Sequence, residues 1–454
     1  MRCTTHVQRM LQPRFVRSRR ARQPWIIVVL LFAVASASAM GGTTVRGQEA
    51  AASGGSIRSS LGKNPCGPNL LVRNRPVPRD PIRASFRRRS YSVGGIATLD
   101  IRAHASRVVA QVFVLDGRRA RARNLMAGRP VTQARTVLLQ NGAATIHVPV
   151  GRWPSGLYFA KLSGTRRTVG FAPFVVRPRP GDNRVAVILP TNTWQAYNFR
   201  DEDGDGTGDT WYANPSVRTV RLARAYLDQG VPPHLSGFTR WLAKAQLKAD
   251  HYSDDDLQAV SSGDELARRY DLIVFSGHEE YTTVHAFDII RRYRDLGGNL
   301  AFLSANNLYA YVEVHGQRMT CLGHFRDIGR PEASVIGVQY VDWYRDQYPS
   351  KPYVVRDVSA APWLFRGTGL KNGNRFGFSY GVEIDATTKQ SPSSTRVIAD
   401  LREIFGPGKT AQMTYYETPR GAKVFAAGAM NFQTPQSGVT YRMLKNLWFW
   451  LRRP

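Results

Sequence analysis

Residues 271–281 read DLIVFSGHEEY. The apolar run Leu272 to Phe275, bounded by Asp271 and Gly277, is too short for a helix and too continuous for a strand with one wet face. It spells a strand buried on both sides, as in a parallel sheet covered by helices. The same pattern recurs on either side. VAVIL (185–189) and NLAFLS (299–304) are similar short apolar strands. FTRWLAKAQ (238–246) has helical spacing, and Val284 to Leu296 is an amphipathic helix that Gly297-Gly298 closes. Buried strands alternating with such helices predict an α/β domain over residues 182–454, with a mainly parallel sheet. Later, Thr410–Tyr416 and Ala422–Ala427 flank Thr-Pro-Arg-Gly as a hairpin, and Tyr441–Leu451 forms a last helix.

Upstream the rhythm differs. Ala97–Arg102, Val108–Leu115, Ala144–Val150, Gly156–Leu162 and Thr168–Val176 are short alternating segments. Asp116-Gly117, Asn141-Gly142 and Ser163-Gly164 turns separate them, which predicts antiparallel hairpins. Residues 85–178 are therefore expected to form an immunoglobulin-like β-sandwich, although no cysteine pair supports a true immunoglobulin domain. RPRPG (177–181) is a stiff linker. At the start, Arg-rich residues 1–24 precede WIIVVLLFAVA (25–35) and the small-residue site Ala37-Ser38-Ala39. This three-part pattern predicts a signal peptide over 1–39, with an uncleaved membrane anchor as the alternative. Ser18-Arg19-Arg20 hints at twin-arginine export, although Arg22 stands where an apolar residue is usual. Residues 40–84, rich in Gly, Ser, Ala and Pro, read as a flexible leader. The expected location is secreted or periplasmic.

Composition bounds the function. A chain of 454 residues with 43% hydrophobic and 21% charged residues is globular, with two folded domains and a processed end. No set of long apolar runs exists, so a transporter, a channel or any integral membrane domain is excluded. The 63 basic and 33 acidic residues give +30, and only ten of the basic ones are Lys. The basic residues are scattered, apart from local runs such as Arg87-Arg88-Arg89 and Arg118-Arg119-Ala120-Arg121, and no zinc-finger or RNA-binding signature accompanies them. Specific nucleic-acid recognition is not expected. Cys3 lies in the signal segment; Cys66 and Cys321 could pair outside the cytosol, but nothing in the sequence brings them together. A thiol nucleophile at Cys321 lacks the glycines of a nucleophile elbow, which argues against a Cys-dependent glutaminase.

In open α/β sheets, ligands bind beyond the carboxyl ends of the strands. The segments following the three strands are TNTWQAYN (191–198), HEEY (278–281) and ANN (305–307). All are polar and should meet on one rim. His278 and Glu280, alternate residues at a strand end, point the same way if extended.

TWQAYN (193–198), SGHEEY (276–281) and GGNLAFLSANN (297–307), in this order behind a segment containing WPSGLY (153–158), resemble the large (beta) subunit of N,N-dimethylformamidase. The likeness spans roughly residues 90–452. It implies a β-sandwich joined to a class I glutaminase-like α/β domain, and hydrolysis of an amide with a mononuclear iron held by two tyrosines and one glutamate. Carried over, the ligands are Tyr197, Tyr212 and Glu280, although the segment before Tyr212 departs from the family pattern. His278 and Asn306 fall on positions that line the metal. The catalytic glutamate is Glu383, with Glu417 as second choice. Phenolate and carboxylate are hard donors that suit Fe(III) better than zinc.

Between the tyrosines, DEDGDGTGD (201–209) fits the first half of a calcium loop. Asp201, Asp203, Asp205 and Asp209 are the candidate ligands, but the twelfth position is Tyr212 rather than a bidentate Glu. The expected function is thus an exported, iron-dependent hydrolase of a small-molecule amide-type C–N bond. The alternative is a non-catalytic, calcium-stabilised binding or adhesion module. Assembly as a homo-oligomer is left open.

Overall fold

A computed structural model describes residues 65–67, 82–116, 126–165, 168–226, 237–344 and 351–452. The expected signal segment, most of the leader and the Arg118–Arg121 run lie outside the described residues.

The N-terminal part consists of two facing sheets. Ile82–Phe86, Ile96–Ala103 and Ala143–Pro149 form a three-stranded antiparallel sheet. The other sheet orders Ser90–Tyr91, Val169–Val176, Gly156–Ser163, Arg107–Leu115 and Gly128–Pro130, with Arg135–Leu138 also on Arg107–Leu115. Alternation sets what each face buries. Tyr158, Ala160, Leu162, Ala172 and Phe174 point into the core between the two sheets. Leu157, Phe159, Phe171 and Val175 point the other way, into a core shared with the rest of the chain. These two strands are therefore buried on both faces.

The C-terminal part is built on a nine-stranded sheet. Its order is Asp250–Ser253, Val185–Leu189, Leu272–Phe275, Asn299–Phe302, Lys423–Ala426, Ala411–Glu417, Arg396–Leu401, Lys351–Val355 and Arg375–Tyr380. The first four pairings are parallel. The remaining four are antiparallel. Two apolar clusters cover the opposite faces of the parallel half: Val185, Val187, Leu189, Leu272 and Val274 face one, while Ala186, Ile188, Ile273 and Phe275 face the other. That division accounts for the continuous apolar strands.

The expected fold class is overturned. The structure is 37% strand and 19% helix, in several mixed sheets, so it is not an immunoglobulin-like sandwich followed by a glutaminase-like α/β domain with a mainly parallel sheet. Five neighbouring strands of the large sheet run parallel, but its other four join by antiparallel pairings. Three of them, Lys351–Val355, Arg375–Tyr380 and Arg396–Leu401, mix polar and apolar residues and gave no continuous apolar signal. Two small sheets complete the fold: Thr219–Arg221 with Arg318–His324, Ala310–His315 and Tyr281–Thr282, and Gln339–Trp343 with Glu383–Ala386. Among the described residues no helix is long and apolar enough to cross a membrane.

Candidate functional site

The rim beyond the parallel strands is held together by side chains at the strand ends. Strand Val185–Leu189 passes through Pro190 into the short helix Thr191–Ala196, whose C-cap is Tyr197. The Thr193 hydroxyl accepts the backbone N–H of Glu280 at 3.1 Å, and the Asn192 amide donates to the Tyr281 carbonyl at 3.0 Å. The Asn307 side chain accepts the Glu279 N–H at 3.0 Å. Three successive loops are thereby locked in register. Asn306 sits at φ +53°, a left-handed conformation that Asn tolerates better than most residues. This turn aims its amide at Glu383.

Tyr212 is the hub. Its hydroxyl lies 2.8 Å from the Tyr197 hydroxyl, 2.9 and 3.0 Å from the two Glu280 oxygens, and 2.6 Å from the Tyr281 hydroxyl. The Tyr197 and Tyr212 rings stack with centroids 4.1 Å apart. His278 Nε2 stands 3.4 Å from Glu280 and 3.2 Å from Glu383. The Asn306 amide donates to Glu383 at 2.8 Å, and Tyr197 Oη is 3.5 Å from the other Glu383 oxygen. The structure thus gathers Tyr197, Tyr212, Glu280, His278, Asn306 and Glu383 at one point. Glu417 is elsewhere, exposed at the hairpin end and accepting from Tyr415. Among these residues, His278 and Glu280 form the buried floor, while Tyr197, Tyr212 and Glu383 are only partly covered.

Electrostatics follow from this crowding. Burial, and then the Glu280 carboxylate, raise the Tyr197 and Tyr212 phenols well above their ordinary value. Burial pushes Glu280 up; His278 pulls it back, Glu383 adds to the rise, and the result is about 7. Burial opposes the His278 cation, but Glu383 and Glu280 outweigh it and hold the imidazole at about 9. Burial likewise lifts Asp385, which accepts the Asn306 N–H at 2.8 Å, to about 7. With a single imidazolium set against several carboxyl groups and phenols, ionising all of them is costly.

The oxygen spacing suits a metal. Ligands adjacent on an octahedron with bonds of about 2.0 Å are roughly 2.8 Å apart, close to the separations around Tyr212. Two buried polar atoms, His278 Nε2 and Asn306 Oδ1, lack a well-aligned hydrogen-bond partner, so the site holds unused donor and acceptor capacity. A trivalent ion would stabilise the phenolates that burial disfavours.

Of the acidic loop, Asp201, Asp203 and Asp209 bring one oxygen each within 4.8 Å of one another. Asp205 does not join them: its carboxylate accepts the Thr207 N–H and hydroxyl, both at 2.7 Å.

Several contributors had not been singled out. Thr193, Asn307 and Tyr281 lie within motifs already quoted, so their polar character at strand ends was the available signal. Arg224 carried no such signal. It is fully buried, and its guanidinium donates to the carbonyls of Gln195, Asn198 and Asp209 at 2.8, 3.0 and 3.0 Å. Cys66 and Cys321 are joined by a disulfide, with Cα atoms 6.2 Å apart across 255 residues.

A family model described as N,N-dimethylformamidase beta subunit-like, C-terminal, matches residues 140–435. The chain belongs to this family. Amide hydrolysis is the chemistry that membership in the N,N-dimethylformamidase beta subunit-like family suggests. No curated protein matches the sequence. Among solved structures, the mmIFT52 N-terminal domain aligns over 46% of this chain and 87% of its own, with 11% identity and a TM-score of 0.30. A beta-glucosidase from Listeria innocua in complex with glucose aligns over 21% of this chain and 15% of its own, with 16% identity and a TM-score of 0.14. A superoxide reductase (neelaredoxin) from Ignicoccus hospitalis aligns over 22% of this chain and 80% of its own, with 6% identity and a TM-score of 0.15. At these scores none bears on fold or chemistry.

Proposed function

We propose that this chain is an exported, iron-dependent hydrolase of a small amide, with Tyr197, Tyr212 and Glu280 as the protein ligands. One observation carries the reading: the Tyr212 hydroxyl lies within 3.0 Å of both Tyr197 and Glu280, so three hard donors from distant segments meet at one point. When bound there, a trivalent ion supplies Lewis-acid polarisation of an amide carbonyl.

The remaining residues divide the proton work. Glu383, oriented by the Asn306 amide, takes a proton from the attacking water. The water oxygen adds to the carbonyl carbon as the C=O π pair moves onto oxygen, and return of that pair breaks the C–N bond. His278, whose Nε2 stands 3.2 Å from Glu383, gives a proton to the departing nitrogen. Transfer from Glu383 to His278 across 3.2 Å then restores both groups, leaving a carboxylic acid and an amine. We further propose calcium at Asp201, Asp203 and Asp209, where it would order the acidic loop that ends at Tyr212. Export rests on the sequence of residues 1–39.

Metal analysis of the purified protein tests the proposal. The expected result is about one iron per chain, with a visible tyrosinate absorption band that Tyr197→Phe abolishes, and release of amine from N,N-dimethylformamide or a related small amide. A colourless, folded protein that binds calcium alone would instead support the non-catalytic binding module.

A further inference from the structure

A cleft of about 680 Å³ lies between the outer face of the three-stranded sheet and the segment 200–225. That is the volume of a small-ligand site. On the sheet wall, Ile82–Phe86 and Ile96–Ala103 pair with Arg83 directly opposite Arg102 and Ser85 directly opposite Asp100. The intervening pair, Ala84 and Ile101, is buried in the sandwich, so alternation puts both arginines on the cleft side. Like charges at directly opposite positions destabilise a strand pair. The nearest carboxylate is committed elsewhere: Asp100 accepts from Arg87 at 2.9 and 3.0 Å and from the Thr145 hydroxyl at 2.7 Å. Arg102 acts on it through space alone. Among the described residues, neither the Arg83 nor the Arg102 guanidinium makes a hydrogen bond or an ion pair. On the opposite wall, exposed Arg221 pairs with exposed Glu202 at 3.2 Å. Buried Arg200 donates to the carbonyls of Ala225 and Tyr226 at 2.6 and 2.8 Å, contacts that leave its charge in place. Five guanidiniums thus line the cleft against two carboxylates.

We propose that this cleft binds a ligand carrying two or more closely spaced oxyanions, phosphate or sulfate esters, with Arg83 and Arg102 as its main contacts and Arg221 engaging it from the opposite wall. The chemistry follows from the donors. A planar guanidinium presents a fork of N–H groups that matches two oxygens of one phosphate or sulfate. One such group set between Arg83 and Arg102 replaces a repulsion with two attractions. A second group, farther across the cleft, reaches Arg221, whose exposed pairing with Glu202 holds it only weakly. Ser85 and Gln140 also line the space and offer hydrogen bonds to ester oxygens or hydroxyls. None of Tyr197, Tyr212 and Glu280 lines this cleft, so its occupancy is independent of the iron reading.

The test is calorimetric titration of the full chain with inorganic tripolyphosphate and, separately, with sucrose octasulfate. Metal-free buffer keeps the probes from acting through cations, and about 0.15 M salt screens diffuse attraction. At least one probe is expected to bind, and the tighter of the two tells whether phosphate or sulfate esters are preferred. Combining Arg83→Gln with Arg102→Gln is expected to weaken that binding at least about tenfold, since each charged hydrogen bond lost is worth that much. Arg221→Gln, which leaves the paired strands untouched, is expected to weaken it severalfold. Combining Arg366→Gln with Arg402→Gln removes the same charge from exposed positions outside the cleft and is expected to leave affinity nearly unchanged. Failure of both probes to bind overturns the proposal. So does equal weakening by the two double variants, because the attraction would then belong to the net charge of the whole chain. If circular dichroism shows the Arg83 and Arg102 variant to be misfolded, Arg221→Gln decides alone, and unchanged affinity there overturns the proposal.

Discussion

Glu280→Gln should stabilise the metal-free protein at alkaline pH while destroying its capacity for iron. The Glu280 carboxyl is buried and held at about 7, against an ordinary value of 4.5. Because the folded value is the higher one, the folded chain holds this proton more tightly than the unfolded chain. The associated stability is complete below about pH 4.5 and is lost as pH rises through about 7. At about 1.4 kcal/mol for each pH unit, the ionised carboxylate costs the folded state on the order of 3 kcal/mol at about pH 8.5. Gln has nearly the same shape and no charge to desolvate, so it avoids most of this cost. The gain is an upper bound, because losing Glu280 also removes one of the carboxylates that sustain the His278 cation. Urea unfolding of chelated protein measures it. The variant should exceed the wild type by about 1–3 kcal/mol at about pH 8.5, and the difference should vanish at about pH 4. A variant equally destabilised at both pH values would refute the reasoning, since Glu280 would then be at ease as an anion without any cation.

Other outcomes follow from the same geometry. His278→Gln should lower turnover on the order of 10²–10⁴-fold with little change in iron content, checked by steady-state amine release and metal analysis. At position 306, where φ is +53°, Asn306→Gly should keep the backbone relaxed while losing the amide to Glu383, whereas Asn306→Ala adds roughly 1 kcal/mol of left-handed strain. Thermal unfolding and turnover of the two variants therefore separate strain from function. Millimolar calcium should raise the melting temperature of the wild type but not of Asp203→Asn, since binding to the folded state alone stabilises it by mass action.

The site was more legible than the fold. Short apolar strands announced their own burial, and the polar residues just beyond them marked the rim, so His278, Glu280 and Asn306 were accessible from local pattern. Helices Val284–Asp295 and Gly438–Leu451 lie where the sequence indicated them. What escaped was pairing. Whether Lys423–Ala426 runs on into parallel or antiparallel neighbours depends on contacts far apart in sequence, and strands such as Arg375–Tyr380 carry too many polar residues to declare themselves. Cys66 and Tyr281 were invisible as partners for the same reason: they meet across 215 residues. Glu383 is preferred over Glu417 by family likeness, and the physical distinction is that Glu383 begins its strand at the cluster while Glu417 ends a strand in solvent.

Arg224 gives the acidic loop a freedom that its sequence conceals. By gripping Gln195, Asn198 and Asp209 through their carbonyls, one guanidinium fastens both roots of the loop between the two phenols. The outer turn at Gly204 and Gly206 is then mechanically decoupled from Tyr197 and Tyr212. Relatives could lengthen, shorten or recharge that turn without disturbing the tyrosines, and an engineer could graft a foreign peptide there for the same reason.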